Sequence, residues 1–130
     1  MLKGHRDLRV FQLAYKLAME VFLESRAFPV EERYSLTDQI RRSSRSVASN
    51  IAEGFRKRRY PRMFISKLSD SDAEASETQV WLDFAKDCGY LPLNRYDELK
   101  AGYEEVGRML GSIDRSSREI QISLEFPQEV

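Results

Sequence analysis

Arg41–Arg62 read RRSSRSVASNIAEGFRKRRYPR, and two patterns run through them at once. The first is apolar. Val47, Ile51 and Phe55 recur every fourth residue and, with Leu36 and Ile40 before them, share one face of a helix. This predicts a helix from Ser35, a suitable N-cap with Asp38 in its first turn, to about Lys57. Ser43, Ser44, Ala48, Ala52 and Gly54 are small. Glycine costs about 1 kcal/mol against alanine inside a helix, so close approach by another helix is the expected use of Gly54. Ser43 and Ser44 fall toward the apolar face, which favours packing over modification of the Arg-Arg-Ser-Ser run. Gln39 and Asn50 edge that face and are expected to hydrogen-bond across to neighbouring helices.

The second pattern is charge. The stretch holds eight of the chain's 21 basic residues and one acid, Glu53, for a local charge of +7, although the whole chain has 21 acids and is formally neutral. Arg41, Arg42, Arg45 and Arg56 fall within an arc of about 100° opposite the apolar face. Arg41 and Arg45 are four residues apart, where like charges repel by roughly a few tenths of a kcal/mol. Lys57, Arg58 and Arg59 add three charges, Tyr60 adds a ring, and Arg62 follows.

Two readings stay open. In one, Arg41, Arg42, Arg45, Arg56, Lys57, Arg58, Arg59, Tyr60 and Arg62 form a nucleic-acid-binding surface. Guanidinium forks match phosphate oxygens, and Tyr60 can stack on a base. Local field, not net charge, governs such binding. In the other, the arginines are neutralised within or between subunits. Asp70, Glu74 and Glu77 lie at i, i+4 and i+7 further along the chain, on one helical stripe. Glu53 and Glu77 also have apolar neighbours, so Glu53, Glu74 and Glu77 are expected to anchor arginines as structural ion pairs. Residues 56–62 are the better binding candidates of the two arginine groups.

The flanking sequence reads as three more helices. The first runs from Asp7, an expected N-cap, to Arg26. Leu8, Phe11, Tyr15, Ala18 and Phe22 are spaced 3, 4, 3, 4, as in a bundle seam. Val10, Ala14, Leu17 and Val21 form a second stripe beside it. Together they cover roughly 200° of the helix, where one core needs about 100°. The surplus predicts contact with a second copy of the chain; a central position in a monomer is the alternative.

Tyr60-Pro61 opens the third helix, which runs to Cys88 with Gly89 as its left-handed cap. It too is apolar on two sides, with Phe64, Leu68, Ala75, Thr78, Leu82 and Ala85 on one and Met63, Trp81, Phe84 and Cys88 on another. The fourth helix is expected over Asn94–Ser117, with Tyr96, Leu99, Tyr103, Val106, Met109, Leu110 and Ile113 as its stripe. Residues 1–118 thus make one domain, and residues 119–130 a loosely ordered tail that docks through Ile120, Ile122, Leu124 and Phe126. Short connections between long helices predict an all-α, antiparallel up-down-up-down four-helix bundle.

Other chemistries find little here. The single histidine, His5, lies outside the bundle and leaves the serines without a catalytic base. Three carboxylates on one stripe could hold a hard cation, but di-iron bundles use Glu-x-x-His pairs, so no metal or cofactor is expected. Cys88 cannot form an internal disulfide, there is no glycine-rich phosphate loop, and neither a signal peptide nor a run of about 20 apolar residues appears. A cytoplasmic, non-enzymatic protein without a small-molecule substrate is expected.

The runs YSLTDQIRR (residues 34–42) and SVASNIAEG (residues 46–54) resemble the signature of the four helix bundle protein family, also called the 23S rRNA intervening sequence protein or S23-type family. Phe28-Pro29, Phe64, Glu77-Thr78-Gln79 and Gly89-Tyr90-Leu91 fall where that pattern has them, and the resemblance covers about Asp7 to Ile113. It implies a bacterial four-helix bundle, a homopentamer around a central axis, and no enzyme activity. The similar accessory proteins of diversity-generating retroelements bind nucleic acid and a reverse transcriptase, which makes both candidate partners. The chain departs from the pattern at Ser35 (usually glycine), Ala48 (usually proline), Ser71-Asp72 (usually Gly-Ser) and Lys67 (usually aromatic).

Overall fold

The computed structural model describes residues 2–125, with side chains through residue 118. It is all-helical: four long helices and no strand among the described residues, consistent with a four-helix bundle. These are α1 (Arg9–Ser25), α2 (Asp38–Arg56), α3 (Pro61–Asp87) and α4 (Leu93–Glu125). Each packs on two others in the circuit α1–α2–α3–α4–α1. The core between them holds Val10, Ala14, Leu17 and Val21 of α1, and Ile40, Val47 and Ile51 of α2. Leu68, Ala75, Leu82 and Ala85 of α3 and Leu99, Tyr103, Val106 and Leu110 of α4 complete it.

Small residues set the spacing. A Cβ on Gly54 would stand 3.2 Å from the Cβ of Lys67, so the close approach expected there is present. Ser43, Ser44, Ser71 and Thr78 are fully buried. Their hydroxyls are hydrogen-bonded, as burial requires. The Thr78 and Ser43 oxygens lie 2.8 Å apart, and Ser71 donates to the Val47 carbonyl at 2.8 Å. Gly102 of α4 is a second close approach, because Leu17 of α1 fills the space a side chain would take. Gly89, with φ +80°, is the expected left-handed cap after α3.

Several local expectations are corrected. Asp7 does not cap α1: it ends a 3-10 turn (His5–Asp7) and accepts the Lys3 backbone N–H at 2.8 Å, and α1 starts two residues later. Ser35 does not cap α2 either, since it sits in a π-helical turn, Arg33–Thr37, and its hydroxyl bonds Glu32. Gln39 and Asn50 bond within their own helix, to Arg42 and to the Ser46 carbonyl, not across the bundle. In α1 the stripe spaced like a seam is the outer one, with Tyr15 57% exposed, whereas the stripe beside it is the core. Ala14 lets neighbours approach; the aromatic rings of the other stripe are too large for that spacing. The backbone of α4 runs to Glu125, eight residues past Ser117, where a loose tail was expected. The docking expected of Ile120, Ile122, Leu124 and Phe126 falls outside the described side chains.

Two tyrosines carry testable energetics. Tyr103 is fully buried, and its hydroxyl makes no hydrogen bond; the Ser44 hydroxyl lies beside it but donates its single proton to the Arg41 carbonyl at 3.1 Å and has none to give. Burying a polar group unpaired costs roughly 1–3 kcal/mol. Tyr103→Phe is therefore expected to raise stability in urea unfolding by about 1 kcal/mol; a loss of that size would reveal a partner for the hydroxyl.

Tyr96 donates to Asp83, and that hydrogen bond, with burial and the nearby carboxylates, pushes its phenol up to about 12. Burial pushes Tyr103 upward as well. Both folded values lie above the unfolded one, near 10. As pH rises past that value the unfolded chain releases protons that the folded chain retains, so stability falls with pH. Below it the two tyrosines contribute no pH dependence. Unfolding free energy is expected to drop between pH 10 and 12, and less steeply in Tyr96→Phe. Equal slopes for the two proteins would exclude Tyr96 as a cause.

Candidate nucleic-acid interface

The arginine arc of α2 is divided by the helices on either side of it. Arg41 turns toward α1: its Nε donates to Ser25 Oγ at 2.8 Å, and its guanidinium lies 4.9 Å from the centre of the Phe22 ring. Arg45 follows it, 6.0 Å from the same ring. Arg42 turns the other way, onto α3. Its guanidinium pairs with Glu74 at 3.2 Å and also with Glu77, while its Nε donates to Gln39. Glu77 in turn accepts from the Trp81 indole at 3.3 Å. Glu74 and Glu77, both half-buried, thus pair with an exposed guanidinium of the same chain. Asp70, on the same stripe, takes no part in these pairs.

Glu53 departs from expectation. It anchors a lysine, not an arginine: the Nζ of the half-buried Lys67 lies 2.8 Å from Oε2 of the exposed Glu53. The Lys67 hydrogen bond and charge, with Lys57 nearby, hold the Glu53 carboxyl below its usual range, and Glu53 raises Lys67 in return. Lys67 stands where the family pattern usually has an aromatic residue, so this pair belongs to the departure. Glu74 and Glu77 are committed to Arg42, which leaves the three-carboxylate stripe no free set of ligands. Among the described residues no three His, Cys, Asp or Glu side chains converge as metal ligands.

The turn after α2 is built by Pro61. A residue before proline is driven out of the helical region, and Tyr60 is extended, with φ −118° and ψ 90°. The chain reverses over Lys57–Tyr60, where the Tyr60 N–H bonds the Lys57 carbonyl at 2.8 Å, and Pro61 opens α3. Arg58 folds back as a cap. Its guanidinium lies 4.1 Å from the Phe55 ring centre and donates to the Phe55 carbonyl at 2.9 Å, satisfying a helix-end acceptor. Lys57 is half-buried. Arg56, Arg59 and Arg62 are exposed and, among the described residues, pair with no carboxylate, and Tyr60 is 62% exposed beside them. Of the nine predicted positions, then, the end of α2, the turn and the start of α3 carry three guanidiniums without a carboxylate partner and an open ring. Arg42 and Arg58 are engaged in structure, and Arg41 is tied to Ser25.

Arg26 was missed by sequence reasoning. It lies one turn beyond Phe22, 5.9 Å from the ring centre, and completes a three-arginine collar with Arg41 and Arg45. The signal was available as a Phe-x-x-x-Arg spacing at the end of the outer α1 stripe. Of these three, Arg45 also lines an apolar groove of about 340 Å³ between α1 and α2, with Phe11, Tyr15, Ala18, Met19, Phe22 and Ala48. No helix among the described residues is long and apolar enough to cross a membrane.

No curated protein matches the chain. A crystal structure of a protein of unknown function from the S23 ribosomal protein family of Bacteroides thetaiotaomicron is similar in fold, with a TM-score of 0.74 at 25% identity, over 82% of this chain and 95% of that one. The family model described as 23S rRNA-intervening sequence protein matches residues 6–112. That span takes in α1, α2, α3 and most of α4, including the whole arginine-rich segment. The chain belongs to the 23S rRNA-intervening sequence protein family.

Proposed function

We propose that this protein is a non-enzymatic, homo-oligomeric accessory protein that binds RNA or an RNA–DNA duplex through the turn between α2 and α3. The observation that carries the reading is the separation of the cations into two groups. Arg42 is neutralised by Glu74 and Glu77, whereas Arg56, Arg59 and Arg62 stand exposed without carboxylates, next to an exposed Tyr60. Unpaired guanidiniums repel one another in a compact turn, and phosphate oxygens relieve that repulsion. Tyr60 supplies a stacking surface for an unpaired base. Arg45 and Lys57 reinforce the field; Arg41, Arg42 and Arg58 are left to structural work.

The α2–α3 pairings descend along α3 as they rise along α2: Ser43 with Thr78, Val47 with Ser71, Gly54 with Lys67. This supports an antiparallel, up-down-up-down course. In a cyclic assembly, for which the resemblance implies five copies, each turn repeats around the axis. Weak sites on one polyanion then act together through effective concentration. A cytoplasmic location goes with this reading. The second reading, a scaffold docking a protein such as a reverse transcriptase, is favoured by the exposed apolar residues Tyr15, Met19 and Phe84. Filter binding of a structured RNA at two salt concentrations separates the two. The first reading requires binding that weakens steeply as salt rises; no binding at low salt leaves the scaffold.

A further inference from the structure

We infer that the apolar groove between α1 and α2 is a ligand site: it takes one linear alkyl chain, and Arg26, Arg41 and Arg45 take the chain's anionic head. The ligand class is a free medium-chain carboxylate. The inference stands on the groove and its cations, and needs neither nucleic-acid binding nor self-assembly.

The groove follows from side-chain size. Ala18 of α1 and Ala48 of α2 both line it and are too short to fill the space between the helices. Tyr15 and Met19 border it, 57% and 45% exposed. Phe11 and Phe22 are its outermost α1 residues, about 16 Å apart along the helix axis. Its volume is about 340 Å³. An apolar cavity of about 150 Å³ holds one benzene, so this groove has room for roughly twice that much carbon, the chain of laurate. Apolar walls with a few polar groups gathered in one place are the usual make-up of a small-molecule site.

The polar groups gather at the Phe22 end. Arg45 lines the groove, with its guanidinium 6.0 Å from the Phe22 ring centre. Arg41 and Arg26 lie 4.9 Å and 5.9 Å from the same centre. Arg41 is fixed in place by its Nε, which donates to Oγ of the buried Ser25 at 2.8 Å. Its terminal nitrogens make no hydrogen bond among the described residues. None of the three arginines forms an ion pair there either. The neighbouring acids serve elsewhere. Glu20 and Glu24, the two acids of α1, pair with Arg95 of α4, and Glu31 and Glu32 lie toward Tyr90. Asp38, one turn before Arg41, pairs with none of the three.

Charge and shape together select the occupant. Guanidiniums crowded around one ring repel one another, and an anion among them offsets that repulsion. A guanidinium fork also matches the two oxygens of a carboxylate. A neutral alkyl chain would leave the repulsion in place. The apolar carbon lines a recess between two helices, which suits one chain better than a bilayer surface.

Isothermal titration of the full chain with laurate, kept below its micelle concentration, tests the site. One laurate per chain is expected, bound about tenfold or more tighter than octanoate, because further methylenes leave water. Laurate should also exceed dodecanol, which lacks the charge, by about tenfold or more. Arg26→Gln with Arg45→Gln, both exposed positions, should weaken laurate about tenfold and leave dodecanol unchanged. Met19→Asp should abolish the binding of both. Circular dichroism checks that the variants fold, and Arg41 is kept because its bond to Ser25 joins α1 to α2. No laurate binding, equal affinity for laurate and octanoate, or binding that either variant leaves unchanged would overturn the inference. Anionic vesicles bound in place of monomeric laurate would assign the face to a membrane. A fall in mass on Met19→Asp, with no laurate bound by the natural chain, would assign it to a second copy. Replacing Arg56, Arg59 and Arg62 by alanine should leave laurate binding intact, so failure of this site and failure of the nucleic-acid reading are separate results.

Discussion

Replacing Gly102 with leucine is expected to lower the unfolding free energy by about 3 kcal/mol, a large share of the roughly 5–15 kcal/mol that holds a domain of this size together. A Cβ at this position would stand 2.5 Å from Leu17 Cδ2, 3.0 Å from Cδ1 and 3.3 Å from Cγ. Leu17 is itself buried, 3% exposed among the core residues of α1, so its isopropyl group has little room to turn aside. Helix propensity works in the other direction, because glycine is worse than leucine inside a helix by under about 1 kcal/mol. The overlap is the larger effect. Leu17→Ala alone should cost about 2–5 kcal/mol through the cavity it leaves. The two changes together move a leucine from α1 to α4 across the same contact and conserve volume to within one methylene. Their costs should therefore not add, and the double variant should be more stable than Gly102→Leu alone. Urea unfolding of the four proteins in the cycle measures the coupling. Strict additivity, or a Gly102→Leu variant as stable as the natural chain, would show that α1 and α4 do not meet here.

Removing Arg56, Arg59 and Arg62 together by alanine is expected to reduce RNA affinity at low salt by roughly two orders of magnitude and to flatten its salt dependence. Each phosphate neutralised contributes about 0.7–0.9 to the slope of log K against log salt, so three lost contacts lower that slope by about 2–3 for each subunit engaged. The effect should be uniform across RNA sequences, because phosphate contacts carry no base information. Arg42→Ala is the control for a paired cation: it removes one positive charge from α2, from a guanidinium already paired with Glu74 and Glu77. Its slope should match the natural chain. Arg58 is left in place because it caps α2 through the Phe55 carbonyl. Equal slopes for the triple variant and the natural protein would remove the turn as the binding surface.

How far the fold was legible from sequence follows from which signals are local. The spacing of Leu36, Ile40, Val47, Ile51 and Phe55 identified the buried face of α2, and all five are buried. Pro61 and Gly89 marked the start and end of α3 to within a residue or two, because a proline ring and a positive φ act on the backbone where they stand. The caps were misplaced because Asp7 and Ser35 are equally suited to short turns that precede a helix, and nothing local chooses between the two uses. The Gly102–Leu17 contact had no signature along the chain, since the residues meet across two helices.

By itself, the sequence determined four helices, the inward-facing residues of α2 and a concentration of positive charge around it. Each of these follows from periodicity or composition along one continuous segment. Only the tertiary structure decided what each arginine does. Arg41, Arg42 and Arg45 occupy one arc of α2, but α1 presents Phe22 and Ser25 to one edge of it and α3 presents Glu74 and Glu77 to the other. A charge keeps or loses its availability according to what lies within a few ångströms of it. Those neighbours come from helices 16 to 35 residues away along the chain, so helix packing, not local spacing, settled which cations stay free.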